Sequence, residues 1–271
     1  MKALFLLLLS QLLCLDSYAQ TKNTASRLAL VIGNASYASS PLKNPVNDSR
    51  AVAASLRELG FEVIERENTN LRDLIAALQS FSLAAKHNQT RMIFYAGHGM
   101  QVKGRNYLIP VDADIASEEE VPRKGADVGD LLMRLGELKH GLNIVILDAC
   151  RNNPFSGHPM LSSDGRRLKT RGVGANAQEG LAKLDAPNGT LVAYSTAPGS
   201  TAIDNSAHKN SVYTKHLLMH LPTPNQTIEQ MFKRVRLGVA NDTQNLQIPW
   251  ETSSLMGDFC FKNGAKNSCG L

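Results

Sequence analysis

Short apolar segments separated by helix-forming stretches constrain the fold of this chain more than any other feature of its sequence. The apolar segments cover residues 27–34, 61–64, 91–96, 142–147 and 190–195. Nearly continuous apolar runs of this length, with amphipathic helices between them, are typical of a parallel β-sheet that is covered on both faces. The sequence therefore predicts an α/β protein with a mainly parallel sheet.

Apolar residues at helical spacing predict the helices that connect these strands. The predicted helices cover residues 49–59, 71–85, 127–138, 212–221 and 228–241. Asn47 and Asp48 can cap the first of these helices, and Gly60 is expected to end it. Residues 107–111 are predicted to form a hairpin arm or an edge strand.

One long stretch, residues 156–188, shows no periodicity and is predicted to form a linker between a larger front part and a smaller back part. Four of its residues lie close together and are basic: Arg166, Arg167, Lys169 and Arg171. A loop of this length within a compact domain is usually functional or disordered.

The first 19 residues have the pattern of a secretory signal peptide. Lys2 precedes an apolar run that is too short and too interrupted for a membrane span of about 20 residues. Ser17 and Ala19 are small residues of the kind that a signal peptidase reads. The alternatives are an uncleaved N-terminal anchor and a lipid-anchored Cys14. We expect export to the periplasm or to the outside, no stable membrane association after cleavage, and a mature chain of 271 − 19 = 252 residues.

The net charge and the cysteines limit the kinds of partner and the cellular compartment that we expect for this protein. The net charge of +5 is not accompanied by basic residues interleaved with aromatic ones, so no nucleic-acid partner is expected. Cys260 and Cys269 are close enough in sequence to form a disulfide in an oxidising compartment, or they can stay reduced. Cys150 then remains as the odd thiol, which is either a buried apolar side chain or a reactive group.

His98 and Cys150 each follow a different predicted strand. In parallel α/β sheets the reactive groups collect beyond the carboxyl ends of the strands, so two neighbouring strands would bring these residues together. An imidazole next to a thiol can accept its proton and so create a nucleophile. The backbone N–H groups of Gly99 and Cys150 could stabilise an oxyanion. Alternatively, His98 is a loop residue and Cys150 fills the core.

Four motifs resemble those of caspases and metacaspases. They are Tyr95–Gly99 (YAGHG), Asp148–Asn152 (DACRN), Tyr194–Gly199 (YSTAPG) and residues 44–60, which contain Asn47-Asp48. The catalytic His of caspases lies about 50 residues before the Cys, and here the gap is 150 − 98 = 52 residues. The resemblance covers about residues 27–261.

This resemblance implies the three-layer caspase-haemoglobinase fold, with a mainly parallel six-stranded sheet between two layers of helices. It implies one peptidase domain over residues 20–271, with a large-subunit-like part (27–155), the basic linker and a small-subunit-like part (189–261). It also implies a cysteine endopeptidase in which Cys150 and His98 form the catalytic dyad. The alternatives are a catalytically silent binding or regulatory protein with the same fold, and a transpeptidase.

Three carboxylates indicate a protein or peptide substrate with Arg or Lys at the cleavage position. Asp148 stands where caspases have Gln, and Asp204 stands where they have the Arg that binds an acidic side chain. Metacaspases also place the Asp of the Asn-Asp pair in this pocket, which makes Asp48 a third candidate. Carboxylates attract guanidinium and ammonium groups and repel acidic ones. Alternatively, Asp48 is a helix cap and Asp148 a structural hydrogen-bond acceptor.

No cofactor is expected to be required, and calcium dependence is open. Asp112 and Asp114 are present as calcium ligands by resemblance, but Gly157 lies where a further acidic ligand would be expected. His216 and His220 have helical i, i+4 spacing without an obvious third ligand, so they are interpreted as residues of a helix face and not as zinc ligands. The basic residues of the linker suit self-processing by an Arg/Lys-specific enzyme, or form a solvated charged loop.

Overall fold

The computed structural model describes residues 26–138, 140–150, 184, 186–197, 208–264 and 269, and for Cys150 it describes only the backbone. The strands are β1 (Arg27–Gly33), β2 (Glu62–Glu67), β3 (Thr90–Val102), β4 (Arg105–Leu108), β5 (Ala126–Asp127), β6 (Leu142–Cys150), β7 (Thr190–Tyr194) and β8 (Trp250–Ser253). Within these residues the main sheet has the order β2-β1-β3-β6-β7-β8, and β4 and β5 extend from β3. The first five strands of that order are parallel, and β8 is antiparallel to β7. The predicted fold class is confirmed.

Helices cover both faces of this sheet. They are α1 (Pro45–Glu58), α2 (Leu71–Ala84), α3 (Val121–Lys124), α4 (Val128–Gly136), α5 (Val212–His220) and α6 (Ile228–Asp242). α1, α5 and α6 pack on strand residues such as Val31 and Phe94, whereas α2 and α4 pack on residues such as Ile32 and Ile93. Successive side chains of a strand point to opposite faces, so the continuous apolar runs serve both layers. None of the helices in the described part of the chain is long and apolar enough to cross a membrane.

The first helix begins earlier than predicted. α1 starts at Pro45, with Asn44 at the N-cap position and no side-chain hydrogen bond from that cap. Proline already has a helical φ angle and needs no N–H partner at the first helical position, which explains the early start. The prediction that Asn47 and Asp48 cap this helix is wrong, because both residues lie within its first turn, where Asp48 is buried.

The third strand continues past the glycines that were expected to close it. β3 pairs with β6 as far as His98, and from Gly99 onward it pairs with β4 in an antiparallel hairpin. Lys103 and Gly104 form the turn, with positive φ angles of 48° and 80°, as tight hairpin turns require. Because β4 supplies a new hydrogen-bonding partner, the backbone stays extended and His98 lies where β3 changes partners.

The two central strands are paired with one constant offset. Thr90 pairs with Leu142 at one end of the ladder between β3 and β6, and His98 pairs with Cys150 at the other. The offset is 142 − 90 = 52 residues at the first pair and 150 − 98 = 52 at the last. The separation of His98 and Cys150 along the sequence therefore equals the constant offset between paired residues of β3 and β6.

A disulfide and an arginine attach the C-terminal segment to the sheet. Cys260 and Cys269 are joined by a disulfide, with their Cα atoms 5.7 Å apart. The Arg27 guanidinium donates to the carbonyl oxygen of Phe261 at 2.7 Å and lies over the rings of Phe61 and Phe259. These contacts hold the last described residues against the start of β1.

We expect Gly238→Ala to destabilise the protein, because α5 and α6 touch at this glycine. A Cβ at Gly238 would lie 2.5 Å from Cε1 and 2.7 Å from Cγ of the buried His216 ring. Overpacking of this kind costs about 1–3 kcal/mol, which exceeds the gain of about 1 kcal/mol from replacing a helical glycine. Urea unfolding should give a free energy of unfolding that is lower by up to about 2 kcal/mol. Gly257→Ala is the control, because a Cβ there meets nothing within 4 Å, and equal stability of both variants would contradict this packing.

Candidate active site

Gly97 allows the backbone before His98 to pass close to two tyrosines. A Cβ at Gly97 would lie 2.7 Å from the Tyr37 hydroxyl and 2.8 Å from the Tyr95 hydroxyl, and its φ angle is +155°. A larger residue would push both hydroxyls away and would be strained at this φ angle. The glycine of the motif is therefore needed for the approach of these hydroxyls to His98.

The Tyr37 and Tyr95 hydroxyls fix the backbone of His98. The Tyr37 hydroxyl accepts a hydrogen bond from the His98 N–H at 2.9 Å, and it lies 3.0 Å from the Ile109 carbonyl oxygen. The Tyr95 hydroxyl lies 2.8 Å from the His98 carbonyl oxygen and 3.2 Å from the Tyr37 hydroxyl. Burial, followed by the nearby Tyr37, raises the pKa of Tyr95 well above its ordinary value. Tyr95 therefore remains a neutral O–H donor.

The loop after β1 also sets the orientation of the His98 ring. Nε2 of His98 lies 2.8 Å from the carbonyl oxygen of Ser40. A carbonyl oxygen can only accept, so Nε2 carries the proton and Nδ1 is the basic nitrogen of the neutral ring. The Tyr37 ring packs against the imidazole, with centroids 4.3 Å apart and planes tilted by 55°. The loop thus selects both the tautomer and the ring position.

Cys150 lies level with His98 at the same edge of the sheet. The two are the last paired residues of neighbouring parallel strands, whose backbones are about 4.8 Å apart in such sheets. The side chain of Cys150 lies outside the described residues. Gly99 follows His98 as the first residue of β3 that pairs with β4. The oxyanion roles of Gly99 and Cys150 stay predictions.

Asp48 and Asp148 come together at this edge although 100 residues separate them in the sequence. Asp48 is 2% exposed and Asp148 is 8% exposed. Asp48 Oδ1 accepts hydrogen bonds from Asn210 Nδ2 at 2.8 Å and from the Ser211 N–H at 3.0 Å. Asp148 Oδ2 accepts from Ser211 Oγ at 2.5 Å and from Thr214 Oγ1 at 2.9 Å. We call these five residues the acidic recess.

The charge of Asp148 also acts on Tyr213 in α5. Burial, followed by the charge of Asp148, raises the pKa of Tyr213 well above its ordinary value. A low-dielectric site that holds two carboxylates favours a bound cation and disfavours a third anion. The recess therefore concentrates acidic groups at this edge of the sheet.

The structure describes two of the three aspartates that were predicted to bind a basic side chain. Asp48 is not a helix cap, so that alternative is removed. Asp148 accepts hydrogen bonds from the start of α5, which agrees with its alternative interpretation as a structural acceptor, and the same bonds fix its carboxylate at the sheet edge. Asp204 and the basic linker at 166–171 lie outside the described residues.

The candidate metal ligands have other contacts. Oδ1 of Asp112 accepts a hydrogen bond from the Leu71 N–H at 3.0 Å, at the start of α2. His216 is buried, and its Nε2 lies 2.9 Å from Asp242 Oδ2 on α6. Within the described residues, no three His, Cys, Asp or Glu side chains gather as a metal site would require.

Several residues of the site were not identified from the sequence. Tyr37 and Ser40 lie in a loop without periodicity, and no local pattern connects them to His98. Ser211 had a detectable signal, because a serine directly before a predicted helix is a favoured N-cap. It does accept a hydrogen bond from the Thr214 N–H in this role, but its contacts with two aspartates depend on the tertiary structure.

Comparisons with known proteins agree with this geometry. A family model described as "Caspase domain" matches residues 26–260, which confirms the resemblance indicated by the four motifs. The chain is 32% identical over 126 residues to the mucosa-associated lymphoid tissue lymphoma translocation protein 1 of human and to its mouse homologue. The match covers 46% of this chain but only 15% of those relatives.

The structural comparison supports the same fold. The crystal structure of caspase-1 from Spodoptera frugiperda superposes with a TM-score of 0.63 at 17% sequence identity. The superposition covers 89% of this chain and 92% of that one. At this identity the likeness concerns the fold alone.

We expect Tyr37→Phe to reduce turnover if His98 takes part in the reaction. The variant keeps the ring that packs on the imidazole, but the His98 N–H loses the hydroxyl that accepts its hydrogen bond. An unsatisfied buried donor costs about 1–3 kcal/mol, so kcat should fall about tenfold or more, with a small change in KM. Steady-state kinetics would measure this loss. Tyr107→Phe, which removes a hydroxyl on β4, should retain activity, and an equal loss in both variants would contradict a specific role of Tyr37.

Proposed function

We propose, because the chain belongs to the caspase-domain family of cysteine peptidases, that it is an endopeptidase that cleaves protein and peptide chains after Arg or Lys. One observation carries the specificity part of this proposal. Two buried carboxylates, Asp48 and Asp148, are held by Ser211, and Asp148 lies two residues before Cys150 in β6. The substrate side chain that fits such a recess is a cation.

In the proposed reaction, Cys150 is the nucleophile and His98 is the general base and acid. The thiol proton moves to Nδ1 of His98, and the sulfur attacks the carbonyl carbon of the scissile bond. The backbone N–H groups of Gly99 and Cys150 stabilise the resulting oxyanion. The C–N bond then breaks as His98 returns the proton to the leaving amine, and water hydrolyses the thioester with His98 as its base.

The Ser40 carbonyl supports the assignment of Nδ1 as the proton acceptor. It accepts the hydrogen bond from Nε2–H, which keeps Nδ1 basic in the resting state. It also stabilises the imidazolium that forms when Nδ1 takes the thiol proton, since a protonated imidazole donates from both nitrogens. The Ser40 carbonyl thus acts on the ring in both protonation states.

The preference for a basic side chain follows from electrostatics. A guanidinium can form two parallel hydrogen bonds to carboxylates, whereas an ammonium acts as a point charge. We therefore expect Arg to be cleaved faster than Lys, and a carboxylate at this position to be excluded. Asp204 is proposed as a third negative group on the basis of the family motif alone.

We also propose that the protein is exported and that its activity needs no cofactor. The pattern of the first 19 residues supports export to the periplasm or the outside, and the Cys260–Cys269 disulfide is typical of an oxidising compartment. The chemistry needs only a thiol and an imidazole. A calcium ion would have to bind groups such as Asp112, which already accepts a hydrogen bond at the start of α2. Assays with EDTA and with added calcium would show whether the activity depends on calcium.

Cleavage of matched fluorogenic peptides with Arg, Lys or Asp before the scissile bond tests the specificity. We expect kcat/KM to decrease from Arg to Lys and the Asp peptide to remain intact. Asp148→Asn keeps the size of the side chain but removes its charge, so kcat/KM for the Arg peptide should fall about 10- to 100-fold, the range for a charged hydrogen bond. Asp130→Asn on α4 is the control, because this carboxylate is exposed and paired with Arg105.

The outcomes of this assay separate the proposals. Equal cleavage of the Asp peptide would overturn the cation-binding recess but not the peptidase activity. No cleavage of any peptide by a folded, mature protein would favour the alternative of a silent binding or regulatory protein. Formation of new peptide bonds with an added amine acceptor would indicate transpeptidation.

Self-processing in the basic linker is a separate expectation. An enzyme with this specificity should cut its own chain after Arg166, Arg167, Lys169 or Arg171, because these residues match its proposed substrate. Intact-mass spectrometry should find two fragments for the wild type and one intact chain for Cys150→Ala. An uncut wild type refutes self-processing, and the same spectra should give Gln20 as the first residue if the signal peptide is removed.

A further inference from the structure

We propose that Ser211 positions the two carboxylates of the acidic recess and thereby determines the preference for Arg over Lys. This inference rests on the proposed function, since it assigns a residue to the specificity of the same site. Ser211 precedes α5 and lies in the back part of the chain, beyond the linker. The aspartates lie in the front part, on α1 and at the end of β6.

Ser211 contacts both aspartates through different atoms. Its backbone N–H donates to Asp48 Oδ1 at 3.0 Å, and its hydroxyl donates to Asp148 Oδ2 at 2.5 Å. Ser211 is thus the residue common to the hydrogen bonds described for these two carboxylates. One serine residue thus links Asp48 Oδ1 to Asp148 Oδ2.

The direction of the serine proton is fixed by its two neighbours. The Thr214 N–H donates to Ser211 Oγ at 2.9 Å, so this oxygen acts as an acceptor toward the helix. Its own proton then points to Asp148, which in its ionised form can only accept. Hydrogen bonds linked in this way strengthen one another, and the N-terminal end of a helix also favours negative charge.

These donors favour the charged form of two buried carboxylates. Burial and mutual repulsion both favour protonation of the carboxylates, whereas hydrogen bonds to the charged form oppose it. If the hydroxyl is lost, Asp148 loses one of its donors and is free to shift relative to Asp48. A guanidinium, which binds through a planar fork, is more sensitive to such a shift than an ammonium.

The effect should therefore appear in binding of the substrate and in the ratio of two substrates. The hydrogen bonds described for Ser211 join it to the two carboxylates and to the Thr214 N–H, so we expect it to act on the carboxylates and not on the reacting atoms. For Ser211→Ala we expect KM for the Arg peptide to rise about tenfold, the effect of losing a hydrogen bond to a charged group, with kcat nearly unchanged. KM for the Lys peptide should rise less, so the Arg:Lys ratio of kcat/KM should fall.

Three further variants separate this role from helix capping. Ser211→Gly also removes the hydroxyl but keeps the backbone N–H and a tolerated cap residue, so it should behave like Ser211→Ala even if the latter folds poorly. Ser211→Thr keeps the hydroxyl and should restore most of the Arg preference. Thr227→Ala removes the cap of α6, where the Thr227 side chain accepts from the Gln230 N–H at 3.3 Å. It should lower the melting temperature without changing the Arg:Lys ratio.

The readouts distinguish failure of this inference from failure of the proposed function. A wild type that does not prefer basic substrates would reject the cation-binding recess itself. If the wild type prefers Arg and Asp148→Asn loses that preference, an unchanged Arg:Lys ratio in both Ser211→Ala and Ser211→Gly would overturn the role of Ser211. A fall of kcat with unchanged KM would overturn it as well, because it would point to the catalytic pair.

Discussion

Parallel pairing of β3 with β6 holds the ends of the two central strands level, from Thr90 opposite Leu142 to His98 opposite Cys150. The apolar residues of both strands are buried between two layers of helices. A slip by one residue would move every one of these side chains to the wrong face, so the register is strongly determined. Packing of the core therefore aligns His98 with Cys150. Tyr37 and Ser40, in the loop after β1, then orient the imidazole of His98.

The acidic recess depends on a second kind of constraint, which is the docking of α5. Its carboxylates come from α1 and β6, whereas their donors come from residues 210–214 of the back part. The position of α5 is set by its contact with α6, where Gly238 leaves room for the ring of His216. The β3–β6 ladder places both Cys150 and Asp148 at the sheet edge, and the recess needs the docking of α5 in addition, because its donors come from residues 210–214.

Much of the fold could be predicted because the relevant signals are local. The apolar runs and the helical periodicity gave the strands and helices of the sheet, and the family motifs pointed to His98 and Cys150. The start of α1 at Pro45 differs from the predicted start because a proline at the first helical position begins the helix, and not the aspartate that resembles a cap. β3 continues beyond Gly97 because β4, which lies in the segment predicted as a hairpin arm or an edge strand, pairs with it from Gly99 onward. The contact between Tyr37 and His98 could not be inferred, because no periodic pattern in the sequence connects these two residues.

By itself, the sequence determined the α/β class, the family and the residues that can do chemistry, since hydrophobic periodicity and motif spacing are properties of the chain alone. The tertiary structure decided how those residues are used. It placed the hydroxyl of Ser211 on Asp148 and its N–H on Asp48, and it set the Ser40 carbonyl against Nε2 of His98. Hydrogen bonds of this kind act over about 3 Å between residues far apart in the chain, so they form only after packing of the core has brought the elements together.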